Sequence, residues 1–391
     1  MRITILTQNI PDPIRYSFEF VKKIRESISE NIDVLLVTDT DKKIQYYDRQ
    51  ININEAKRYA LPERITNNHE QSIRKQIAVN RKLGGKFTIK DVIDEHERLY
   101  RFYIDLIDKE KPELCIVWNG ITHSFQTAFI EACKDLMKPV IYLERGLIPG
   151  SIFWDWEGIN AVSSVGKDKT WIKKFNKISD PNYFNKIENI IFETGGNIVK
   201  EENARGEFNK RNYILFPLQR DSDSNILFNS EYIKNMYQAL IFLKELKTKK
   251  KIPQDVIFRP HPEDPKNHYT KKIDFSPLIC QSNTGLLETI INADLVLTIN
   301  STVGFTSLIL GKKVVALGKS TYSGRGLCLE PKSLTELQCM LNTKEICISQ
   351  NIVEQRQEFI SKIIGYRHIS FKSHELLDVQ LNNLKKELTK I

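Results

Sequence analysis

Short apolar runs that end in polar residues alternate with helical stretches through most of this chain. In the first part of the chain the runs are RITILT (2–7), DVLLVT (33–38), LCIVWNG (114–120) and KPVIYLERG (138–146). Runs of this length are typical of buried strands, and most of the stretches between them carry apolar residues at helical spacing. Because strand and helix alternate, the sequence predicts an α/β fold with a parallel sheet and crossover helices.

The pattern weakens across residues 165–210 and then restarts. The later runs are NYILFPLQ (212–219), DVIFRPHP (255–262), DLVLTIN (294–300) and KKVVALG (312–318). A chain of 391 residues exceeds the length at which a single hydrophobic core keeps growing. We therefore predict two Rossmann-like domains, 1–200 and 201–350, followed by C-terminal helices over 351–391, whose packing against the N-terminal domain stays open. Ligands of such sheets bind outside the carboxyl ends of the strands, which predicts a cleft that both domains face.

Composition restricts the class of protein. Hydrophobic residues make up 41% of the chain and charged residues 27%, as in globular proteins. No apolar run approaches the roughly 20 residues of a membrane-spanning helix. The N-terminus turns polar after six residues, unlike a secretory signal. These features predict a cytoplasmic protein.

The net charge and the cysteine spacing indicate which partners and metals the protein could bind. The net charge is +9, and basic blocks lie at 169–177, 244–251 and 383–390. Such blocks are either solvated helix faces or a surface for an anionic partner, such as a phosphorylated substrate or the headgroups at the inner membrane. No zinc-finger or RNP signature accompanies them, so no nucleic acid is expected. The six cysteines form no C-x-x-C pair and no zinc-spaced cluster with histidine, so we interpret them as reduced thiols.

The loop after the run 294–300 is a candidate phosphate site. Ser301 and Thr302 lie where the predicted strand passes into a helix, and Gly304 follows one turn later. A helix N-terminus offers backbone N–H groups and a positive dipole end, to which the two hydroxyls add donors. The alternative is that Ser301 or Thr302 only caps the helix.

A second candidate phosphate site is FRPHP (258–262), which contains Arg259 and His261. Prolines fix the backbone on both sides of the histidine. A guanidinium and an imidazole at one strand end suit phosphate recognition, and the imidazole can also pass a proton. The alternative is a turn with a surface histidine.

The segment QRDSDS (219–224) leaves three interpretations open. Asp221 and Asp223 could clamp a divalent metal on a nucleoside diphosphate, as Asp-x-Asp does after strands in one class of sugar transferase. One of the two aspartates could instead attack a sugar as a nucleophile. The third interpretation is a polar turn.

The chain resembles the nucleotide-binding half of GT-B glycosyltransferases that use CMP-activated sugars, including bacterial sialyl- and polysialyltransferases. It is more similar still to the capsule polysaccharide synthesis family, which includes the retaining β-Kdo transferases of capsule, O-antigen and lipopolysaccharide assembly. The matching elements are QRDSDS (219–224), LERG (143–146), DWEGINAVSS (155–164), the STVGF segment from Ser301, and the segment from Tyr322 to Leu327. Arg145 stands where the family's loop has its second acidic residue, which argues against a two-carboxylate role for that loop.

The resemblance implies a GT-B-like fold in which the first domain binds the acceptor and the second binds CMP. It implies transfer of Kdo from CMP-Kdo to a saccharide or lipid-linked glycan acceptor, at the cytosolic face of the inner membrane, through an adduct on an aspartate. Alignment on Gln219 and Ser224 gives that role to Asp223, with Asp221 as its neighbour. Since CMP leaves with one phosphate, the two phosphate loops could stabilise it without metal, and no cofactor is expected.

Further residues are candidates for the substrate side. Glu144 ends a predicted strand, where its carboxylate could take the proton of the acceptor hydroxyl or pair with Arg145. Asn119 and Gly120 either line the acceptor side or form a tight turn. The remaining candidate substrate-binding residues are Gln219, Arg220, Arg145, Tyr322 and Arg325, of which the arginines could bind the carboxylate of a 2-keto acid sugar.

Three alternative functions stay open. A CMP-sialic acid sialyltransferase would use a donor of the same chemistry. A UDP-GlcNAc 2-epimerase has a similar half-domain, but its Gly-Gly pair is replaced here by Thr302 and Val303. A non-catalytic nucleotide- or glycan-binding subunit would need no nucleophile, and the joint presence of Asp223, Glu144 and His261 argues against it.

Overall fold

The computed structural model describes residues 1–8, 10–28, 31–47, 49–61, 69–82, 86–194, 213–262, 273–281, 285–342, 349–371 and 373–390. The strands are β1 (Arg2–Leu6), β2 (Asp33–Thr38), β3 (Arg49–Asn52), β4 (Leu114–Trp118), β5 (Val140–Arg145), β6 (Ser151–Asp155), β7 (Tyr213–Pro217), β8 (Asp255–Arg259), β9 (Ile279–Cys280), β10 (Leu295–Thr298), β11 (Lys313–Ala316) and β12 (His368–Ser370). The helices are α1 (Pro11–Ile28), α2 (Glu70–Lys82), α3 (Ile89–Glu110), α4 (Ser124–Asp135), α5 (Ser164–Lys167), α6 (Tyr183–Thr194), α7 (Ser224–Asn229), α8 (Met236–Thr248), α9 (Leu286–Ile291), α10 (Thr302–Ile309), α11 (Leu334–Asn342), α12 (Gln350–Arg367) and α13 (His374–Leu388).

The chain divides into two compact units. The first comprises Met1–Gly146, Gly150–Ser164 and Ile364–Ile391, and the second comprises Leu147–Pro149 and Val165–Ile363. Each unit has its own sheet and its own apolar clusters. The α/β prediction with two parallel-sheet units is therefore confirmed.

The sheet of the first unit has seven strands in the order β12-β6-β5-β4-β1-β2-β3. Strands β1 to β5 are parallel, whereas β6 and β12 run antiparallel to their neighbours. Along β4, Ile116 and Trp118 face one apolar cluster, and Cys115 and Val117 face the other. A strand buried on both faces explains why this run is apolar without alternation.

The second unit has a five-stranded, fully parallel sheet in the order β11-β10-β7-β8-β9. The chain proceeds from β7 outward through β8 to β9, and then returns to place β10 on the other side of β7. The strand order therefore reverses between β7 and β10. In open α/β sheets the carboxyl edge at such a reversal is where ligands bind.

The observed division of the chain differs from the predicted boundaries at 200 and 350. The predicted boundary near 200 lies outside the described residues, and residues 165–194 belong to the second unit. Arg325 holds the start of this stretch through the backbone oxygens of Asp168 and Lys169, at 2.9 and 2.7 Å. At the C-terminus, α13 packs on α1 of the first unit.

Two simple observations concern membranes and cysteines. Among the described helices, none combines the length and the apolar content needed to cross a bilayer. Five of the six cysteines lie in the described part of the chain, where none of them forms a disulfide, while Cys347 lies outside it.

A buried ion pair fastens the segment DWEGINAVSS (155–164) to the C-terminal end of α12. Asp155 is fully buried and accepts hydrogen bonds from the backbone N of Glu157, at 2.9 Å, and of Ser164, at 2.8 Å. The Arg367 guanidinium lies 3.3 Å from the same carboxylate and 4.8 Å from the ring centre of Trp154. Asp155, the first residue of this segment that resembles a family motif, thus has a structural role in the first unit.

Replacement of Arg367 by methionine is expected to destabilise the first unit by about 3–5 kcal/mol, because it leaves the Asp155 charge buried without its counter-ion. Urea unfolding, followed as two transitions, measures the loss. The matched control is Arg145→Met, because Arg145 pairs with Asp12 at 2.9 Å while both side chains are about half exposed. An exposed pair contributes about 0–1 kcal/mol. Equal effects of the two substitutions would contradict the importance of the buried pair.

Candidate active site

The ends of β7 and β10 are joined by two hydrogen bonds between the buried residues Gln219 and Asn300, one between their side chains and one from the backbone of Asn300. Gln219 Nε2 donates to Asn300 Oδ1 at 3.0 Å, and Asn300 N donates to Gln219 Oε1 at 3.2 Å. Both polar ends of the Gln219 side chain are thereby engaged. The amide of Gln219 thus fixes the strand reversal, and its predicted contact with substrate stays a prediction.

Asn300 is the residue of this site that sequence analysis missed. Its side chain also donates from Nδ2 to the backbone oxygens of Asn225, at 3.0 Å, and of Lys319, at 3.3 Å. It therefore connects the loops that follow β7, β10 and β11. The available signal was its position, as the last residue of DLVLTIN and directly before Ser301.

Helix α10 begins directly after this pair. Ser301 is its N-cap, and the Ser301 hydroxyl accepts a hydrogen bond from Val303 N at 3.1 Å. Thr302 is the first helical residue and is exposed. The capping alternative therefore holds for Ser301, while the Thr302 hydroxyl is exposed beside the positive end of the helix dipole.

Tyr322 lies beneath the start of α10. Its side chain is 1% exposed, and its hydroxyl donates to Ser301 O at 2.9 Å. A Cβ atom on Gly304 would overlap that hydroxyl and would lie 2.8 Å from the Thr298 methyl, so glycine is required for this approach. Burial raises the pKa of the Tyr322 hydroxyl. Tyr322 and Gly304 are therefore both buried as supports of Ser301, and their direct contact with substrate or nucleotide stays a prediction.

The two aspartates of QRDSDS (219–224) lie on either side of a turn and bind different helix starts. Asp223 N donates to Arg220 O at 2.9 Å, which closes the turn. The Asp223 carboxylate caps α7 by accepting from Asn225 N at 2.8 Å, and the Asp221 carboxylate accepts from Met236 N, at the start of α8, at 2.7 Å. The turn thus separates the two side chains, and Asp221 is half-buried.

The pKa of Asp223 is affected by burial and by its polar neighbours. Burial raises the pKa of its carboxyl group above the ordinary value of 3.8, while the hydrogen bond from Asn225 N and the interactions with His261 and Arg220 oppose the rise. The loops after β7 and β8 thus interact electrostatically through these residues. The arrangement is a partly desolvated carboxylate that interacts with a histidine and an arginine.

Arg259 and His261 lie where the sequence predicts them, at the carboxyl end of β8. Arg259 is the last residue of that strand, and its backbone oxygen accepts from Leu218 N at 2.8 Å. Both side chains are half-buried, and burial lowers the pKa of the Arg259 guanidinium. The phosphate candidates of the loops after β8 and β10 therefore lie at the same carboxyl edge of the second sheet, while Arg220 is exposed after β7.

The Arg325 side chain binds backbone carbonyl groups. Its guanidinium donates to the carbonyl oxygens of Val165, Asp168, Lys169 and Thr321, and it stacks 5.0 Å from the ring centre of Phe359. Burial lowers the pKa of this guanidinium to about 10. Its hydrogen-bond donors thus already bind the protein's own carbonyl groups, and the binding of a donor carboxylate by Arg325 stays a prediction.

The remaining candidates belong to the first unit and lie at the ends of β4 and β5. Asn119 and Gly120 form a tight turn with φ of 65° and 86°, and a Cβ on Gly120 would lie 2.7 Å from the Tyr142 ring. Asn119 Nδ2 donates to Glu144 Oε2 at 3.0 Å, and Arg145 N donates to Glu144 Oε1 at 2.9 Å. The Arg145 guanidinium pairs with Asp12 and not with Glu144. Asn119 and Gly120 therefore form the tight turn that was one of their two predicted roles. Glu144 is held beside this turn by its two hydrogen bonds.

Comparison with known protein families gives one match, over residues 197–345, to the family described as capsule polysaccharide biosynthesis protein. The matched segment is less than half of the chain and contains Asp223, His261 and Ser301. The resemblance to the capsule polysaccharide synthesis family is confirmed. The family match thus coincides with the loops that follow β7, β8 and β10.

A relative of known sequence is Protein FixF of Sinorhizobium fredii (strain NBRC 101917 / NGR234). It is 25% identical over 229 residues, which are 58% of this chain and 54% of the relative. The chain thus matches about half of the length of that protein.

Two kinds of solved structure are similar in fold. The KpsC β-Kdo 2,7 transferase of Thermosulfurimonas dismutans is 17% identical, with a TM-score of 0.48 over 98% of this chain and 100% of that one. The UDP-GlcNAc 2-epimerase of Methanocaldococcus jannaschii is also 17% identical, with a TM-score of 0.41 over 94% of this chain and 100% of that one. Both scores lie below 0.5, and nothing about the activity of this chain follows from them.

The raised pKa of Asp223 predicts that Asp223→Asn stabilises the second unit at neutral pH. Above pH 3.8 the unfolded carboxyl group loses its proton first, so the free energy of unfolding falls until the pH passes the raised pKa of the folded state. Asparagine removes this cost and still caps α7. The melting temperature should therefore rise at pH 7, and the gain should shrink as the pH is lowered toward 3.8.

Glu245→Gln is the control for that experiment, since Glu245 is an exposed carboxylate of the same unit. Its melting temperature should stay close to that of the wild type at both ends of the pH series. A lower melting temperature for Asp223→Asn at neutral pH would contradict the proposed cost of burial.

Proposed function

We propose that this protein is a retaining glycosyltransferase that moves Kdo from CMP-Kdo to a saccharide acceptor in the assembly of capsule, O-antigen or lipopolysaccharide. The family match to residues 197–345 and the sequence motifs within it support this proposal. The observation that carries it is the half-buried Asp223 carboxylate beside His261 and Arg220, at the strand reversal of the second sheet.

The arrangement of the aspartates favours a nucleophile over a metal clamp. In a clamp both carboxylates turn toward one cation. Here Asp221 accepts from the start of α8 and Asp223 from the start of α7. Because the two carboxylates bind the starts of different helices, we infer that they have separate roles. This supports one of them as the single nucleophile.

The proposed reaction has two displacements. In the first, an Asp223 carboxylate oxygen attacks the anomeric carbon of Kdo, and the bond to the phosphate oxygen breaks, so that CMP leaves with the electron pair. In the second, the acceptor hydroxyl attacks the same carbon, loses its proton to a base, and the bond to Asp223 breaks. Two inversions give net retention. The predicted role of Glu144 as that base stays a prediction.

The leaving phosphate is proposed to be held by the other two loops. Arg259 offers a bidentate donor, His261 a donor that can carry a proton, and the N-terminus of α10 a set of backbone N–H groups. Arg220 is exposed at the same edge and is suited to the carboxylate of the 2-keto acid donor. Together these groups would offset the charge of CMP without a metal ion.

CMP is therefore expected to bind with an affinity that added Mg²⁺ or Mn²⁺ does not change. His261→Ala should weaken binding by about 1.5–3 kcal/mol, the contribution of a hydrogen bond to a charged group. Isothermal titration calorimetry measures both effects, and His374→Ala, an exposed histidine of the first unit, is the control. An affinity that rises more than about tenfold with Mg²⁺ would favour the interpretation of Asp221 and Asp223 as a metal clamp. An unchanged affinity of His261→Ala would show that His261 is only a surface residue of a turn.

Asp223→Asn is expected to abolish transfer while the CMP affinity stays within about tenfold, or roughly 1.4 kcal/mol. Asp221→Asn is the matched control, because asparagine can still accept from Met236 N, and it should keep measurable activity. Nucleotide release should follow mixing with CMP-Kdo, and not with CMP-sialic acid or UDP-GlcNAc. Intact-mass spectrometry of the wild type should then show a Kdo-sized adduct on the peptide that holds residue 223.

Four outcomes would change the assignment of the nucleophile, the donor or the activity. Full activity of Asp223→Asn, or an adduct on Asp221 or Glu144, would remove Asp223 as the nucleophile. Nucleotide release from CMP-sialic acid alone would change the donor but keep the chemistry. Absence of nucleotide release with all three donors would favour a non-catalytic binding subunit.

A further inference from the structure

A second group of polar residues lies in the first unit, within its helical layer and away from the strand ends. His69 precedes α2, His96 is on α3, and Glu131 is on α4. One ligand atom from each of the three lies within 4.8 Å of the others. His96 Nε2 is 2.7 Å from Glu131 Oε2, and His69 Nε2 is 3.8 Å from the same oxygen.

A further carboxylate lies beside this group. Asp135 Oδ2 lies 3.9 Å from His69 Nε2. Tetrahedral zinc with bonds of about 2.0–2.1 Å places its ligand atoms roughly 3.3 Å apart. The separations of 2.7 Å from Glu131 to His96 and 3.8 Å from Glu131 to His69 fall on both sides of that value, so small side-chain shifts would bring these three atoms around one ion. Asp135 would join them as a fourth ligand through a larger movement of its side chain.

The burial of these side chains is difficult to explain without a further positive charge. His69 is 2% exposed, His96 is fully buried, and Glu97, which lies next to His69, is 2% exposed. Three of their polar atoms have no hydrogen-bond partner among the described residues, namely His69 Nδ1, His96 Nδ1 and Glu97 Oε1. Buried polar atoms are nearly always paired, and buried charges are paired or bind metal.

We propose that His69, His96, Glu131 and Asp135 bind one divalent cation of the first transition row, with Zn²⁺ as the preferred ion. Two imidazoles and two carboxylates are a ligand set that this class of ion accepts, in contrast to Mg²⁺ or Ca²⁺, which prefer oxygen ligands alone. With neutral histidines, the three carboxylates Glu97, Glu131 and Asp135 carry three negative charges, of which the ion would offset two.

The surroundings fit the proposed ligand roles. If Nε2 of each histidine binds the ion, each ring carries its proton on Nδ1. His69 Nδ1 lies 3.6 Å from Glu97 Oε1, so this proton would face an oxygen that otherwise has no partner. Metal-bound histidines commonly donate to a carboxylate in this way. Ser72 and Tyr100 similarly donate to Glu131 and Asp135, which orients the two carboxylates.

The site would be structural and not catalytic. Its ligands come from helices or their starts, and none follows a strand end where the sheet binds its ligands. Helix α2 packs on α3 and α4, and the ion would connect all three. Metal bound to the folded state alone adds to stability by mass action.

The test is metal content, measured by plasma mass spectrometry on untagged protein after dialysis against metal-free buffer. The wild type and the control His374→Asn should each retain about one Zn²⁺ per chain, while His96→Asn and Glu131→Gln should retain none. Addition of Zn²⁺ to chelator-treated wild type should raise its melting temperature by about 5 °C or more, and this rise should vanish in both ligand variants. Replacement by Co²⁺ should give the visible absorption of a tetrahedral site.

The Co²⁺ titration needs only the wild type, so it decides the matter even if a variant fails to fold. Wild-type protein that takes up neither Zn²⁺ nor Co²⁺ and whose melting temperature does not change would overturn the proposal and leave a buried network of hydrogen bonds. Equal metal content in Glu131→Gln and the wild type would overturn the ligand assignment. None of these measurements depends on transfer activity. A negative result would therefore overturn the metal site without affecting the proposed function.

Discussion

The pair of hydrogen bonds between Gln219 and Asn300 decides what the second unit can present at its carboxyl edge. It locks the end of β7 to the end of β10 where the strand order reverses. Asn300 then extends the connection to Asn225 in α7 and to Lys319, three residues after β11. Since the two bonds between Gln219 and Asn300 are buried, loss of one partner would leave several polar atoms unsatisfied at once. The positions of Asp223 and Ser301 both follow from this pair.

The pKa of Asp223 depends on the position that it takes at the carboxyl edge of the second sheet. A carboxylate that is partly removed from water loses hydration, which raises its pKa. At Asp223 the hydrogen bond from Asn225 N and the interactions with His261 and Arg220 counter that rise. Under the proposed function, the fold accepts a stability cost at Asp223 in order to hold a nucleophile, as is common where chemistry is performed.

The sequence was sufficient to predict the parallel strands, because runs such as RITIL and YILFP are apolar on both faces and leave few alternatives. It did not predict β6 or β12, which are short strands whose pairing depends on each other's position. Site residues on strand ends were placed well, as with Arg259. Burial was harder to predict, because a tyrosine or arginine in a motif looks the same whether it faces a ligand or, like Tyr322, holds a neighbouring loop. The His69 group joins residues from three helices, and no local spacing could have revealed it.

The way in which Arg325 is bound affects how related sequences should be compared. Its planar fork reaches four carbonyl groups from two separate stretches of chain, a task that a lysine, with one compact ammonium group, cannot match. The scaffold alone is therefore enough to explain an arginine at this position, and its presence in a related sequence is not by itself a sign of a particular donor. Under the proposed function, positions such as 220, where the side chain is exposed at the carboxyl edge, are the ones at which donor preference can diverge.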